Sequence, residues 1–126
     1  MRPTAIHLKK LITAASLICS LGLLAPTVHA DAASDAADIE KGKKVAFDRK
    51  KGNCLACHEI AGGKLAGNIG PPLVAMKARF PDFEVLKDQI SDPRVKNPNT
   101  IMPPFGPHGI ITSSEIRMIA KFIHTL

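Results

Sequence analysis

The sequence predicts a small all-helical domain, and three observations carry that prediction. Apolar residues recur at helical spacing near both ends of the chain, no segment shows the alternation of a β-strand, and prolines interrupt the stretch from 93 to 107. No internal repeat is present that would indicate a solenoid. We therefore expect helices joined by long loops rather than a βαβ unit or a β-sandwich.

The first thirty residues are typical of a secretory signal peptide. They begin with basic residues and no acid, continue with an almost wholly apolar run from Leu11 to Pro26, and end in the sequence VHA before Asp31. The apolar run is shorter than the ~20 residues needed to cross a bilayer, which disfavours a stable membrane anchor. We expect a cleaved signal peptide at 1–30, one domain at 31–126 and a periplasmic location.

Cleavage would change both the cysteine content and the charge of the chain. Cys19 lies in the apolar run, but Leu17 and Ile18 before it are not the small residues that usually precede a lipidated cysteine, so it should leave with the peptide. Three basic residues leave as well, which lowers the net charge from +6 to +3. Because the remaining charges are scattered and Trp and Tyr are absent, nucleic-acid binding is disfavoured.

The N-terminal part of the domain predicts a leader followed by a helix. Residues 31–38, DAASDAAD, lack apolar periodicity and predict a disordered or frayed leader. From Ile39 a helix is expected to run to about Gly52, with Ile39, Gly42 and Ala46 on one face. Gly42 in that face would let another helix approach closely.

The middle of the domain predicts loops around one helix. A glycine- and proline-rich loop at 61–73 is followed by a short apolar segment containing Met76 and Phe80. A helix should begin with Pro81 at its first position, present Phe83, Leu86 and Ile90 on one face and end at the sequence SDP at 91–93.

The C-terminal part predicts a proline-rich loop and then a second long helix. The apolar residues of the loop, which include Val95, Ile101 and Phe105, indicate that it packs on something. Thr112 and Glu115 have capping-box spacing and predict a helix that runs to Leu126. Its apolar face is expected to consist of Ile116, Ile119, Ala120 and Ile123, with Met118 and Phe122 as a second apolar patch.

The stretch KGNCLACHEI contains both cysteines of the predicted domain, Cys54 and Cys57, followed at once by His58. A thiol–disulfide oxidoreductase would need this pair in a βαβ context, which is missing, although a simple disulfide remains an alternative. Zinc would need four converging ligands, and the only further candidates, His108 and His124, lie too far apart for the usual spacing. The motif C-x-x-C-H instead indicates covalent attachment of one haem through two thioether bonds, with His58 bound to the iron.

The sixth iron ligand has two serious candidates. Met102 lies in the proline-rich loop, where a rigid backbone could hold a thioether against the iron, and His108 follows in the sequence GPHG. Met76 and Met118 fall in apolar helical patterns and are more typical of packing. Met102 and His108 therefore both remain open at this point. Phe80, Phe105 and Lys77 are further candidates for the region near the haem edge.

Several segments together resemble SoxX, the small c-type cytochrome subunit of the SoxAX complex of bacterial thiosulfate oxidation. They are NCLACH, GNIGPPLVAMKARFPD, QISDP, NPNTIMPPFGPHGIIT and FIHTL, between Gly52 and Leu126. The resemblance implies a class I cytochrome c fold around a single haem c. It also implies that Cys54 and Cys57 hold the haem, that His58 and Met102 are the axial ligands, and that the Pro71 carbonyl accepts the ring N–H of His58.

The resemblance further implies a role in sulfur oxidation. SoxAX, an L-cysteine S-thiosulfotransferase, joins thiosulfate oxidatively to a cysteine of the carrier SoxYZ, and this chain would receive the electrons from SoxA and pass them to another cytochrome. No thiol remains once Cys54 and Cys57 carry haem, so the chain would do no bond chemistry itself. The alternative is a freely diffusing electron shuttle that serves a terminal oxidase.

Overall fold

The computed structural model describes residues 28–126 and shows four α-helices and two 3₁₀ turns in that part of the chain, without a β-strand. The helices are α1 (Val28–Phe47), α2 (Met76–Arg79), α3 (Phe83–Ser91) and α4 (Ser113–His124), and the 3₁₀ turns span Cys54–Ala56 and Pro93–Val95. The all-helical prediction is confirmed. Residues 1–27 of the predicted signal peptide lie outside the described residues, so its cleavage after residue 30 stays a prediction.

The N-terminal and C-terminal helices cross in close contact, and the crossing is built on small residues. A Cβ atom on Gly42 of α1 would overlap the backbone carbonyl of Met118 in α4 and would lie 2.9 Å from the amide nitrogen of Ile119. Ala46 and Ala120 are completely buried nearby. The expectation that Gly42 permits a close helix approach is confirmed, because only a residue without a side chain fits here.

Helix α4 begins and packs as its sequence predicts. The Glu115 amide donates to Thr112 Oγ1 at 3.2 Å, and the Thr112 amide donates to Glu115 Oε2 at 2.9 Å, which completes the capping box. The predicted face of α4 is buried, together with Phe122, whose ring meets Phe47 edge to face at a centroid distance of 5.8 Å. Burial of this face stabilises the contact of α4 with α1 and α3.

The predicted disordered leader is wrong, because residues 31–38 belong to α1. The Lys121 ammonium group on α4 donates to Asp35 Oδ1 at 2.7 Å and to Asp38 Oδ2 at 2.6 Å. Helix α1 also ends earlier than predicted, at Phe47, and the chain turns back so that the Gly52 amide donates to the Val45 carbonyl at 3.2 Å. A contact across the fold therefore supports the start of α1, and a local turn follows its end.

Two details of the central region also differ from the sequence prediction. Asp82 caps α3 by accepting a hydrogen bond from the Glu84 amide at 2.8 Å, so Pro81 precedes the helix instead of occupying its first position. In the proline-rich loop, Phe105 is buried as expected, whereas Val95 and Ile101 are 82% and 76% exposed. The buried face of α3 is as predicted, with Leu86 and Ile90 facing the core.

Candidate functional site

The two cysteines and His58 lie on one tight turn at the edge of a cavity. The His58 amide donates to the Cys54 carbonyl at 2.9 Å, and the Cys57 amide donates to the same carbonyl at 3.2 Å. Asn53 enters this turn in the left-handed region with φ of 48°, a conformation that Asn tolerates better than most residues. As a result, Cys54, Cys57 and His58 all line the same cavity, which has a volume of about 290 Å³.

The His58 ring is held by the glycine–proline loop that follows it. His58 Nδ1 lies 2.7 Å from the Pro71 carbonyl oxygen, and since a carbonyl only accepts hydrogen bonds, Nδ1 carries the proton and donates. A Cβ atom on Gly70 would lie 2.6 Å from His58 Nδ1, so glycine is required for the loop to approach the ring. The Gly70 amide also donates to the Cys57 carbonyl at 2.8 Å. This arrangement leaves Nε2 of His58 as an acceptor suited to a metal ion.

The structure separates the two candidates for a sixth ligand. Met102 is half-buried, packs against the core and lines the cavity, whereas His108 is exposed and lies outside the cavity lining. Of the other methionines, Met76 also lines the cavity, with its sulfur 3.4 Å from Nη1 of Arg79. Met118 lies at the helix crossing, where its backbone carbonyl is close to Gly42. The cavity therefore contains one imidazole and two thioethers.

The rest of the cavity wall is mainly apolar, with a few polar side chains. The apolar wall includes Leu73, Leu86, Ile90, Phe105, Ile119 and Ile123. Arg79, Gln89 and Thr100 also line the cavity, and the sequence analysis missed all three. For Thr100 a sequence signal existed, namely a hydroxyl two residues before a candidate ligand, which is typical of a side-chain-to-backbone turn. Phe80 and Phe105 line the cavity, whereas Lys77 lines a separate groove beside α4, so its position near the haem edge stays a prediction.

The chemistry of the wall matches a porphyrin with its iron and disfavours the other two interpretations of the cysteines. Burial raises the pKa of the Cys54 thiol to about 11, so this thiol is a poor nucleophile for disulfide exchange at neutral pH. Cys54 and Cys57 are both free of disulfide bonds. Among residues 28–126, no group of three or more His, Cys, Asp or Glu side chains could hold a metal ion, which disfavours zinc. Two thiols, an oriented imidazole and a thioether around an apolar cavity fit a haem.

Comparison with known proteins identifies the broad family. Residues 37–123 match the model of a family described as cytochrome c oxidase, cbb3-type, subunit III. The chain belongs to this family of c-type cytochromes. A cytochrome c domain implies a haem and a role in electron transfer, so those two predictions are confirmed at this level. The narrower assignment to SoxX, the covalent attachment and the single haem stay predictions.

A curated relative gives a second comparison for this cytochrome. The chain is 38% identical over 76 residues to a protein of Aquifex aeolicus (strain VF5) named "Uncharacterized lipoprotein". The aligned part is 60% of this chain and 37% of the relative, so the cytochrome spans little more than a third of that protein's length. Within the described residues, no helix combines the length and the apolar character needed to span a bilayer.

Proposed function

We propose that this protein is a periplasmic monohaem cytochrome c that carries electrons as the SoxX-like subunit of a SoxAX complex. In this proposal Cys54 and Cys57 form thioether bonds to one haem, and His58 and Met102 bind its iron. The observation that carries the ligation is the convergence of these four side chains on one cavity, with the His58 ring fixed by the Pro71 carbonyl. A bound haem supplies a one-electron couple, and a histidine–methionine ligand pair raises its potential relative to two histidines.

The surroundings of the cavity favour electron transfer over reaction at the iron. With His58 and Met102 both bound, no axial position is left for a substrate. At the edge of the cavity, Ile69 and Ile101 line the opening and are 64% and 76% exposed. Exposed apolar side chains beside a cofactor suit brief contact with a partner protein. The partner in this proposal is the SoxA cytochrome, which would dock against this opening.

The sulfur chemistry in this proposal takes place outside the chain. A thiol of SoxYZ and thiosulfate form a sulfur–sulfur bond, which releases one proton and two electrons. SoxA passes the electrons to this chain, which holds one electron at a time and transfers each to a downstream cytochrome. Of the three cysteines in the sequence, Cys19 belongs to the predicted signal peptide and the other two would carry haem. No thiol would then be left for thiosulfate on this chain.

A second candidate function is electron transfer to a terminal oxidase without any sulfur chemistry. The family description favours it, because it names a subunit of cytochrome c oxidase. The two candidates differ in the partner and in the electron source. They share the haem, the ligands and the cavity.

One set of experiments tests the shared part and then separates the candidates. The full-length chain is expressed in bacteria that have haem-attachment machinery, and the exported protein is purified. It should give the pyridine haemochrome spectrum of haem c and an intact mass equal to residues 31–126 plus one haem. A mass without haem would overturn both candidates. A mass that includes residues from Cys19 onward with an acyl chain would show lipid anchoring instead of cleavage before Asp31.

The partner is tested with the holoprotein. Thiosulfate should reduce its haem within seconds in the presence of SoxA and SoxYZ and should leave it oxidised when either is omitted. Copurification with SoxA should accompany that result. If thiosulfate leaves the haem oxidised with both partners present, while holoprotein that has been reduced with dithionite passes its electrons to an oxidase, the shuttle is the correct function.

A further inference from the structure

The loop that carries Met102 is shaped by side chains that bond to its backbone. The Met102 amide donates to Thr100 Oγ1 at 3.1 Å. One step earlier, the Asn99 amide donates to Asn97 Oδ1 at 3.1 Å and the Thr100 amide donates to the Asn97 carbonyl at 3.0 Å. The side-chain oxygens of Asn97 and Thr100 thus each accept a hydrogen bond from the amide two residues later, and each forms a turn in which a side-chain oxygen replaces a backbone acceptor. They fix the path of residues 97–102, a segment without helix or strand.

The three residues around this bond all line the cavity but differ in exposure. Ile101 lines the opening and is 76% exposed, whereas Met102 packs against the core. On the other side of Met102, Pro103 and Pro104 have restricted backbone angles, and Pro104 is buried. The Met102 backbone is thus held by a hydrogen bond before it and by a rigid segment after it.

We infer that Thr100 is a positioning residue for Met102, whose hydroxyl oxygen keeps the Met102 backbone where the thioether can reach the iron. The inference rests on the proposed ligation by Met102. A thioether is an uncharged ligand that an external base can displace, so the bound fraction depends on how well the loop is preorganised. Without the Thr100 acceptor, the Met102 amide must find water, and conformations with the thioether away from the cavity become more populated.

The test measures how readily imidazole replaces Met102 on the ferric holoprotein. Thr100→Val keeps the shape of the side chain but removes the acceptor, and it should bind imidazole roughly fivefold more tightly than the wild type, the effect expected from one hydrogen bond. Thr100→Ser keeps the hydroxyl and should bind imidazole like the wild type. If Thr100→Val does not accumulate with haem, Thr100→Ala removes the same acceptor without adding a methyl group.

Two controls separate positioning from a general effect on stability. In a Met102→Ala background there is no thioether to displace, so adding Thr100→Val should leave imidazole affinity unchanged. Urea unfolding of each ferric variant measures global stability. If Thr100 had only a structural role, Thr100→Val would lower this stability but would leave the imidazole affinity of the protein with Met102 intact at the wild-type value. Wild-type affinity in both Thr100→Val and Thr100→Ala, or a fivefold change that persists without Met102, overturns the inference.

Failure of the inference is distinguishable from failure of the ligation itself. If Met102→Ala retains the weak near-infrared absorption band of methionine-ligated ferric haem, Met102 is not the ligand and the inference fails together with that proposal. If Met102→Ala loses the band while Thr100→Val behaves like the wild type, the ligation stands and the positioning role alone is wrong.

Discussion

The backbone carbonyl of Met118 in α4 occupies the space that a Cβ atom on Gly42 in α1 would need. This is a contact between the backbones of the two longest helices, and neither can move without disturbing the core around Ile119, which is 1% exposed. Since Ile119 also lines the cavity, the helix crossing supports the wall of the candidate haem site. The first prediction follows from this contact.

Gly42→Ala should destabilise the holoprotein by about 1–3 kcal/mol, the usual cost of overpacking a closely packed core. The higher helix propensity of alanine would offset at most about 1 kcal/mol of that cost. Urea unfolding followed by circular dichroism measures the difference. Ser34→Ala, at an exposed position of the same helix, is the matched control and should change stability by less than about 0.5 kcal/mol. Equal stability of Gly42→Ala and the wild type would contradict the close crossing.

Met102→Leu should abolish the near-infrared absorption band that methionine ligation gives to ferric haem, because leucine fills a similar volume but offers no sulfur. His108→Leu is the control, since His108 is exposed and outside the cavity lining, and it should keep the band. The measurement is the absorption spectrum of each oxidised holoprotein at neutral pH. A band that survives in Met102→Leu would show that Met102 does not bind the iron, and a wild-type spectrum without the band would exclude methionine ligation and leave His108 as the candidate.

Sequence reasoning predicted helix α4 well because its signals are local. Thr112 and Glu115 are three residues apart, and the buried stripe repeats within a single helix. The start of α1 could not be predicted in this way. The sequence DAASDAAD lacks apolar periodicity, and the residue that pairs with Asp35 and Asp38 is Lys121, which lies more than eighty positions away. An ion pair of this kind has no signature in a single sequence.

The residues of the candidate site also differ in how far the sequence predicts them. Residues that belong to a local motif, such as Cys54 to His58, could be predicted from that motif and from the resemblance to a known family. Arg79 could not be found in that way, because its Nη1 donates to the Pro72 carbonyl at 2.9 Å only once the loop has folded back on α2. Sequence alone also left Met102 and His108 as competitors, and the half-buried position of Met102 in the cavity wall, against the exposure of His108, favours Met102.

The capping box of α4 makes a prediction about pH. The bond from the Lys51 ammonium group, followed by the bond from the Thr112 amide, lowers the pKa of Glu115 from 4.5 to about 2. A carboxyl group whose pKa is lower in the folded protein than in the unfolded chain stabilises the folded state. This stabilisation is complete above the pKa of the unfolded chain, about 4.5, and is lost as the pH falls from there towards 2.

Glu115→Gln keeps an oxygen that can accept from the Thr112 amide but removes the charge. At pH 7 it should be less stable than the wild type by about 0.2–1 kcal/mol, the range for an ion pair near the surface. The difference should shrink steadily as the pH falls from about 4.5 towards 2, where about half of the wild-type Glu115 carboxyl is protonated, and should vanish only below that pH. Urea unfolding at each pH compares the variant with the wild type, and Glu40→Gln, at an exposed position of α1, controls for the change in net charge. A stability difference that stays constant with pH would contradict this account.

Lys121 should hold the N-terminal half of α1 against α4. Asp35, Asp38 and Lys121 form one ion-paired group, and the bonds with Lys121 lower the pKa of Asp38 and those with the two carboxylates raise the pKa of Lys121. Lys121→Met keeps much of the apolar stem but removes the charge, so the first turns of α1 should open more often. Amides of residues 35–39 should exchange with deuterium about twofold to fivefold faster, the effect expected from losing a surface ion pair.

The control and the salt dependence make this last prediction specific. Lys64→Met removes a charge from an exposed loop and should leave exchange in α1 unchanged. Raising the salt concentration to about 1 M should speed exchange of the same amides in the wild type and have little effect in Lys121→Met, because salt screens an ion pair that the variant no longer has. If residues 35–39 exchange at the same rate in Lys121→Met and in the wild type at low salt, the helical start of α1 does not depend on this ion pair.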